Sequence, residues 1–315
     1  MGIVHSSSLP LSPNWAGRDA ESLLWLASYP RSGNTFTRLL LANYFRAGDQ
    51  AYDINALSDF CPADTNAALW RSYAAAFASP RTVRETWEAR ASFFGHYRKT
   101  RDRALFPGIK THTGNIRVHG VEGFDIRPND RALYLVRHPL DVAVSFADYN
   151  GKDIGSAIDE LCAAGAYVRH DWIGALEVRG SWAEHVANWV LAPPCELLLI
   201  HYEALCADTA TTLRTILDFL GAPIVEKKVT QAVDASRFEK VRAQETANGF
   251  REAPGVSASG RFFREGRHLQ WLRTLSPDQA YHLAGRCGET MRRIGYTHPR
   301  DVFFDGRNAL GPPAL

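Results

Sequence analysis

Three short apolar runs divide the chain, and each gives way to a turn and then to apolar positions at helical spacing. Ser22 to Ser28 is the first; it stops at Tyr29-Pro30 and a Ser-Gly-Asn turn, beyond which Phe36, Leu39, Leu40, Asn43 and Tyr44 recur as one face of a helix. Ala132 to Val136 is the second, a Leu-Tyr-Leu-Val strand followed by Arg137-His138-Pro139 and the helical pattern Val142, Val144, Ser145, Phe146. Glu196 to Ile200 is the third, and past His201-Tyr202-Glu203 a helix is predicted from about Thr209 to Leu220, stopped by Gly221 and Pro223. Strand, turn and helix repeated in this way predict an α/β protein with a central parallel β-sheet flanked by helices.

Between these units the pattern changes character. Trp70 to Tyr97 and Tyr149 to Trp172 are rich in aromatic residues with no clear period, which reads as insertions that build a substrate pocket. Phe93, Phe94, Tyr97, Phe146, Tyr149, Tyr167 and Trp172 are the candidate apolar lining. Trp182, Val186 and Trp189, by contrast, have the spacing of a buried helix face. No internal repeat, low-complexity tract or long Pro/Gly/Ser linker interrupts the chain, so a single domain is predicted.

Composition narrows the function classes. With 315 residues and 45% hydrophobic content, the chain can bury a sizeable core. Lys+Arg 36 against Asp+Glu 34 leaves a net charge of +2, which excludes the broad basic surface of a nucleic-acid binder and requires any anion site to be local. Met1 to Pro13 is small and polar without a basic and then apolar stretch, and no later run holds about 18 uncharged apolar residues. Neither an export signal nor integral membrane association is expected, and a cytoplasmic location is. Cys61, Cys162, Cys195, Cys206 and Cys287 are scattered with no C-x-x-C pair, the usage of reduced thiols and not of a zinc site or a disulfide framework.

Candidate chemistry begins at the first strand-to-helix junction. There Arg31, Ser32, Gly33, Asn34 and Thr35 lie where free backbone N–H groups and the positive end of a helix converge, a geometry suited to phosphate. Gly33 allows close backbone approach, Ser32 and Thr35 add hydroxyl donors, and Arg31 adds a permanent charge in a fork that fits phosphate or sulfate. Taken alone, such a turn is also an ordinary connection. The segment is not a Walker A loop, which requires a terminal Gly-Lys-Ser/Thr.

Taken together, the motifs resemble the cytosolic sulfotransferases. Tyr29 to Phe36 is similar to that family's Tyr-Pro-Lys-Ser-Gly-Thr-Thr-Trp loop for the 5′-phosphosulfate, with Arg31 in place of Lys. Lys110-Thr111-His112 resembles its Lys-Thr-His segment, and the resemblance makes His112 the general base, with Lys110 and Arg31 at the transferring sulfuryl group and the leaving phosphate. Arg137 and Ser145, eight residues apart, match the 3′-phosphate motif. Tyr202 matches a strand-Tyr-Glu pattern beside the nucleotide, Ser236 and Phe238 match the adenine segment, and Arg264, Gly266 and Trp271 match the loop that closes over the 3′-phosphate. That loop departs from the pattern at Glu265, Leu269 and Leu272, with Arg261 or Arg267 as candidate compensating charges.

What the resemblance implies is a P-loop nucleotide kinase-like sulfotransferase fold, with an N-terminal segment over 1–21, a sulfotransferase domain over 22–298 and a C-terminal tail over 299–315. It further implies 3′-phosphoadenosine 5′-phosphosulfate (PAPS) as sulfuryl donor, 3′-phosphoadenosine 5′-phosphate (PAP) as product, no metal, and a hydroxyl-bearing small molecule, lipid or sugar as acceptor. The family's dimerisation motif is absent, since Thr274-Leu275-Ser276-Pro277 occupies its place, so a monomer or a dimer of another type is expected. Two rival readings share the architecture: a nucleotide-dependent phosphotransferase, disfavoured by the missing P-loop Lys, and a nucleotide-binding protein without turnover, disfavoured by the presence of Arg31, Lys110 and His112.

Overall fold

The structure is a computed structural model that describes residues 21–46, 48–76, 82–102, 106–170, 175–253 and 255–299. Most of the expected N-terminal segment, nearly all of the expected C-terminal tail and Trp172 lie outside the described residues. The described chain has eight strands: β1 (Leu24–Ser28), β2 (Gly108–Thr111), β3 (Arg117–Val118), β4 (Val121–Glu122), β5 (Arg131–Val136), β6 (Tyr167–His170), β7 (Ala175–Val178) and β8 (Glu196–His201). Four of them form a parallel sheet in the order β2-β1-β5-β8, while β3-β4 and β6-β7 are antiparallel ribbons.

Alternation along the two central strands decides which side chains face which helix layer. Trp25 and Ala27 of β1, with Ala132, Tyr134 and Val136 of β5, enter one core cluster. Leu24, Leu26, Leu133 and Leu135 enter the other, which includes Leu213, Ile216 and Leu217. Both faces are therefore covered, the condition under which an all-parallel sheet is stable. The three apolar runs all form the predicted strands, and the helix predicted from Thr209 to Leu220 spans Thr209–Leu220, with Asp208 accepting from the Thr211 amide at 2.9 Å.

The two aromatic stretches divide differently from expectation. Trp70 and Phe93 are stacked at 4.4 Å between ring centroids, Phe94 packs edge-on to Trp25, and Phe93, Phe94 and Tyr97 are buried in the main core. They belong to helices Ala67–Ala76 and Val83–Thr100 and do not line the cavity described below, which corrects the pocket expectation for that stretch. Large rings hid the helical period, but a start signal was present: Thr82 and Glu85 form a reciprocal capping box. Tyr167 is 57% exposed and also stands away from the cavity. Phe146 and Tyr149 do line it.

Because the sheet is parallel, all four strands end at one edge. In spatial order those ends deliver His112, the Arg31–Asn34 turn, Arg137 and Tyr202. The carboxyl edge of an open α/β sheet is where such folds bind ligands.

Candidate active site

A cavity of about 610 Å³ opens over that edge. Arg31, Gly33, Asn34, Thr35, Phe36, Lys110, His112, Arg137, Ser145, Tyr202, Ser236, Phe238, Arg264 and Gly266 all line it. Ser32 is the exception within the predicted set: its side chain is buried outside the lining, and its Oγ has no hydrogen-bond partner among the described residues. Trp271 is likewise buried, stacked on His138 at 5.7 Å, and the exposed Arg261 and Arg267 are not among the lining residues.

The turn after β1 is built for an anion. Helix Asn34–Phe45 starts at Gly33 with no side-chain cap, so its first-turn N–H groups keep their donors for a ligand. Gly33 has φ 99, and a Cβ there would stand 2.6 Å from the Tyr202 ring. Only glycine allows the turn to pass that ring in this conformation. Asn34 secures the turn from below, its Nδ2 donating to the Leu26 carbonyl at 2.9 Å.

Arg31, also at positive φ, turns its guanidinium between the rings of Tyr149 and Phe262, each centroid at 4.5 Å. Its Nε donates to Ser145 Oγ at 3.0 Å and its Nη2 to the Phe262 carbonyl at 3.1 Å. Burial pushes this guanidinium down to about 10, with the nearby Arg137 charge acting in the same direction, and it stays charged near neutrality. Ser145 is thus joined to Arg31, whereas the sequence paired it with Arg137. Arg137 donates to the carbonyls of Arg31 at 3.2 Å and Arg267 at 2.9 Å and lies over the Tyr202 ring at 4.5 Å. Its distance to Asp141 is 3.9 Å, because Asp141 instead accepts from the Leu269 and Trp271 amides and so fastens the 264–270 segment. Gly266 in that segment lies against Phe238, where a Cβ would meet the ring at 2.4 Å, and Arg264 donates to Gln270.

At the end of β2, His112 Nδ1 lies 2.8 Å from the Ser28 carbonyl. A carbonyl oxygen only accepts, so Nδ1 carries the proton and Nε2 has the lone pair. Burial, and after it the Lys110 charge, holds His112 well below the usual 6.5, which keeps the ring neutral at neutral pH. His185 supports this from behind, its Nε2 donating to the His112 carbonyl at 3.1 Å and its Nδ1 accepting from Tyr134 at 2.8 Å. Lys110 Nζ pairs with Glu252 at 3.2 Å.

Sequence reasoning missed several lining groups. Glu252 and Phe262 come from the segment after helix Phe238–Asn248, which carries no recognisable periodicity. Val168, His170, Glu177 and Arg179 come from the β6-β7 ribbon and its exit, and Arg179 pairs with Glu177 at 3.4 Å and Glu160 at 3.3 Å. Tyr167–His170 reads Tyr-Val-Arg-His, with no apolar–polar alternation to mark the ribbon in advance.

A family model, that of the sulfotransferase domain, matches residues 21–295. The chain belongs to the sulfotransferase family. Among curated relatives it is 24% identical to cytosolic sulfotransferase 17 of Arabidopsis thaliana over 54% of this chain and 52% of that protein. It is 29% identical to sulfotransferase 2A6 of Rattus norvegicus over 48% of this chain and 52% of that protein. The chain thus spans about half the length of the curated relatives it matches. Among solved structures, mouse sulfotransferase SULT7A1 complexed with PAP superposes with a TM-score of 0.55 at 18% identity, covering 91% of this chain and 90% of that one. Retinol dehydratase, solved with androsterone and PAP, gives 0.54 at 18% identity over 94% of this chain and 85% of that one. These likenesses establish a sulfotransferase fold for the chain.

Proposed function

We infer that this sulfotransferase-family chain transfers a sulfuryl group from PAPS to a hydroxyl of a small-molecule, lipid or glycoconjugate acceptor, with His112 as general base. The observation that carries the reading is the tautomer of His112, whose Nδ1–H is committed to the Ser28 carbonyl at 2.8 Å and whose Nε2 lone pair is left for a substrate proton. Two features fit the donor: the uncapped helix start at Gly33, and the concentration of Arg31, Lys110, Arg137 and Arg264 on one cavity.

The donor supplies a sulfuryl group joined to a phosphate that departs with the electron pair of the broken S–O bond. Around it the protein's own groups have separable tasks. His112 Nε2 takes the acceptor's hydroxyl proton as the new O–S bond forms. Lys110 faces the sulfuryl oxygens, and Arg31, which has no proton to give readily, meets the negative charge growing on the departing phosphate oxygen by its own positive charge and hydrogen bonding. Arg137, Tyr202, Ser236, Phe238, Arg264 and Gly266 are assigned to the adenosine and 3′-phosphate, and Arg31 to Phe36 to the 5′-phosphosulfate. Fixed cations and positioning supply most of the acceleration in this scheme.

The test is label transfer from radiolabelled PAPS to a panel of hydroxyl acceptors in EDTA, with product mass read alongside. The expected result is acceptors heavier by one SO₃ unit. Metal-dependent loss of γ-phosphate from ATP would replace this reading with phosphoryl transfer, and PAP binding without turnover on any acceptor would replace it with a binding role.

A further inference from the structure

We propose that Glu252 is a positioning residue of the reacting centre, acting through Lys110; the proposal rests on the role given to Lys110 above. Glu252 reaches the cavity from the segment that follows helix Phe238–Asn248, between the Ser236–Phe238 motif and the Arg264–Gly266 loop and belonging to neither. Its carboxylate is gripped from one side by Arg38, whose Nη1 lies 2.9 Å from both Oε1 and Oε2. Arg38 is fully buried on helix Asn34–Phe45, the helix that begins at the anion-binding turn. Ser58 Oγ approaches the Oε1 edge at 3.5 Å. On the open side, Oε2 accepts from Lys110 Nζ at 3.2 Å.

The geometry makes Glu252 a bracket between two elements that the reaction needs in register. Arg38 ties it to the helix whose N-terminus is offered to the phosphosulfate, and Lys110 ties it to the β2 end that carries His112. A lysine ammonium has three donors on a flexible stem, and one fixed acceptor removes most of that freedom while leaving two donors for sulfuryl oxygens. The carboxylate also offsets charge where Arg38 and Lys110 would otherwise face each other unshielded. An ammonium held in place before the donor arrives reorganises less as charge shifts in the transition state, so the bracket contributes to turnover and little to nucleotide affinity.

A double-mutant cycle on the full chain tests this. Glu252→Gln keeps the shape and a hydrogen-bond acceptor for Arg38 but removes the charge that fixes Lys110; it is expected to lower kcat by roughly 10- to 100-fold, the scale of a small misplacement of a catalytic group, with PAP affinity within about twofold of wild type. In a Lys110→Ala background the same change should alter kcat by less than about threefold, because there is no ammonium left to position. Equal losses in both backgrounds would overturn the proposal in favour of a general structural role, with the melting temperature showing whether the fold is weakened. Unchanged or faster turnover in Glu252→Gln would overturn it too, the faster case marking Glu252 as a competitor for Lys110. If Lys110→Ala alone leaves kcat intact, the sulfuryl-transfer assignment of Lys110 fails first, and the cycle separates that failure from this one.

Discussion

His112 has its proton inventory fixed by backbone. The Ser28 carbonyl demands the Nδ1 proton and the His185 Nε2–H caps the His112 carbonyl, so the ring has one free lone pair and little rotational freedom. His112→Ala is expected to lower kcat by roughly 100- to 10,000-fold with PAP affinity near wild type, as for loss of a general base. A phenol of low pKa, partly ionised already, should lose less than an aliphatic alcohol; equal losses on both would point to damage beyond the base. Because burial and the Lys110 charge hold His112 well below 6.5, the acid limb of kcat/KM should fall below pH 6.5, the neutral form being the active one. A limb at or above 6.5 would place the base elsewhere. Arg137 invites a different experiment, since its two hydrogen bonds go to the Arg31 and Arg267 carbonyls and not to a side chain. Arg137→Ala should weaken PAPS by about 2 kcal/mol while adenosine 5′-phosphosulfate, which has no 3′-phosphate, is hardly affected. Equal weakening of both donors would show that Arg137 acts by bracing the phosphate turn.

At the scale of elements, the sequence was most legible where a strand met a turn and least where a segment is held only by distant partners. β1, β5, β8 and the helices after them follow from apolar runs and helical spacing, and the ends of those strands carry Arg31, Arg137 and Tyr202 to the cavity. The segment that follows helix Phe238–Asn248 and runs to Gln270 is another matter. Its course over 249–253 and 255–270 depends on four carboxylates remote in sequence or outside any local pattern: Glu245 accepts from the Phe262 and Phe263 amides, Asp148 from Ser259, Asp141 from the Leu269 and Trp271 amides, and Glu252 from Arg38 and Lys110. No periodicity records such bonds, which is why Phe262 over Arg31 could not be read in advance. These bonds also explain how a loop that departs from the family pattern at Glu265 and Leu269 still lines the site: Asp141 fixes its path, and Glu265 pairs with Arg264 and Arg273. Asp141→Ala, which removes a charged acceptor from two backbone amides, should speed hydrogen exchange at Leu269 and Trp271 and weaken PAP by about tenfold, leaving exchange in β1 and β5 unchanged. Unaltered exchange at those two amides would mean that the segment is held by other contacts.

For the whole molecule, the buried histidines make acid the condition under which the fold should weaken first. His112, His138, His185 and His201 all have their protonation pushed down chiefly by burial, His185 to about 3. Each is neutral in the folded chain and ordinary in the unfolded one, so below about pH 6.5 the unfolded state binds more protons and stability falls as pH falls. The loss begins at the unfolded value and continues until the folded values are reached. Glu252 adds a second window lower down: it is held at about 2 against an ordinary 4.5, with burial opposing and the Lys110 and Arg38 charges outweighing it, so its contribution is intact above about 4.5 and is lost between there and about 2. Melting curves should therefore show a temperature midpoint that is flat near neutrality, drops from about pH 6.5 toward pH 5, and steepens again below about pH 4.5. His185→Gln tests the cause of the upper drop, because it keeps a side chain able to donate to the His112 carbonyl and accept from Tyr134 but binds no proton in the unfolded chain. That variant should start less stable at pH 7, through imperfect packing of the smaller group, and lose less between pH 6.5 and pH 5 than the wild type. A parallel decline in both proteins would show that His185 is not among the groups taking up protons on unfolding, and that the acid sensitivity arises at other sites.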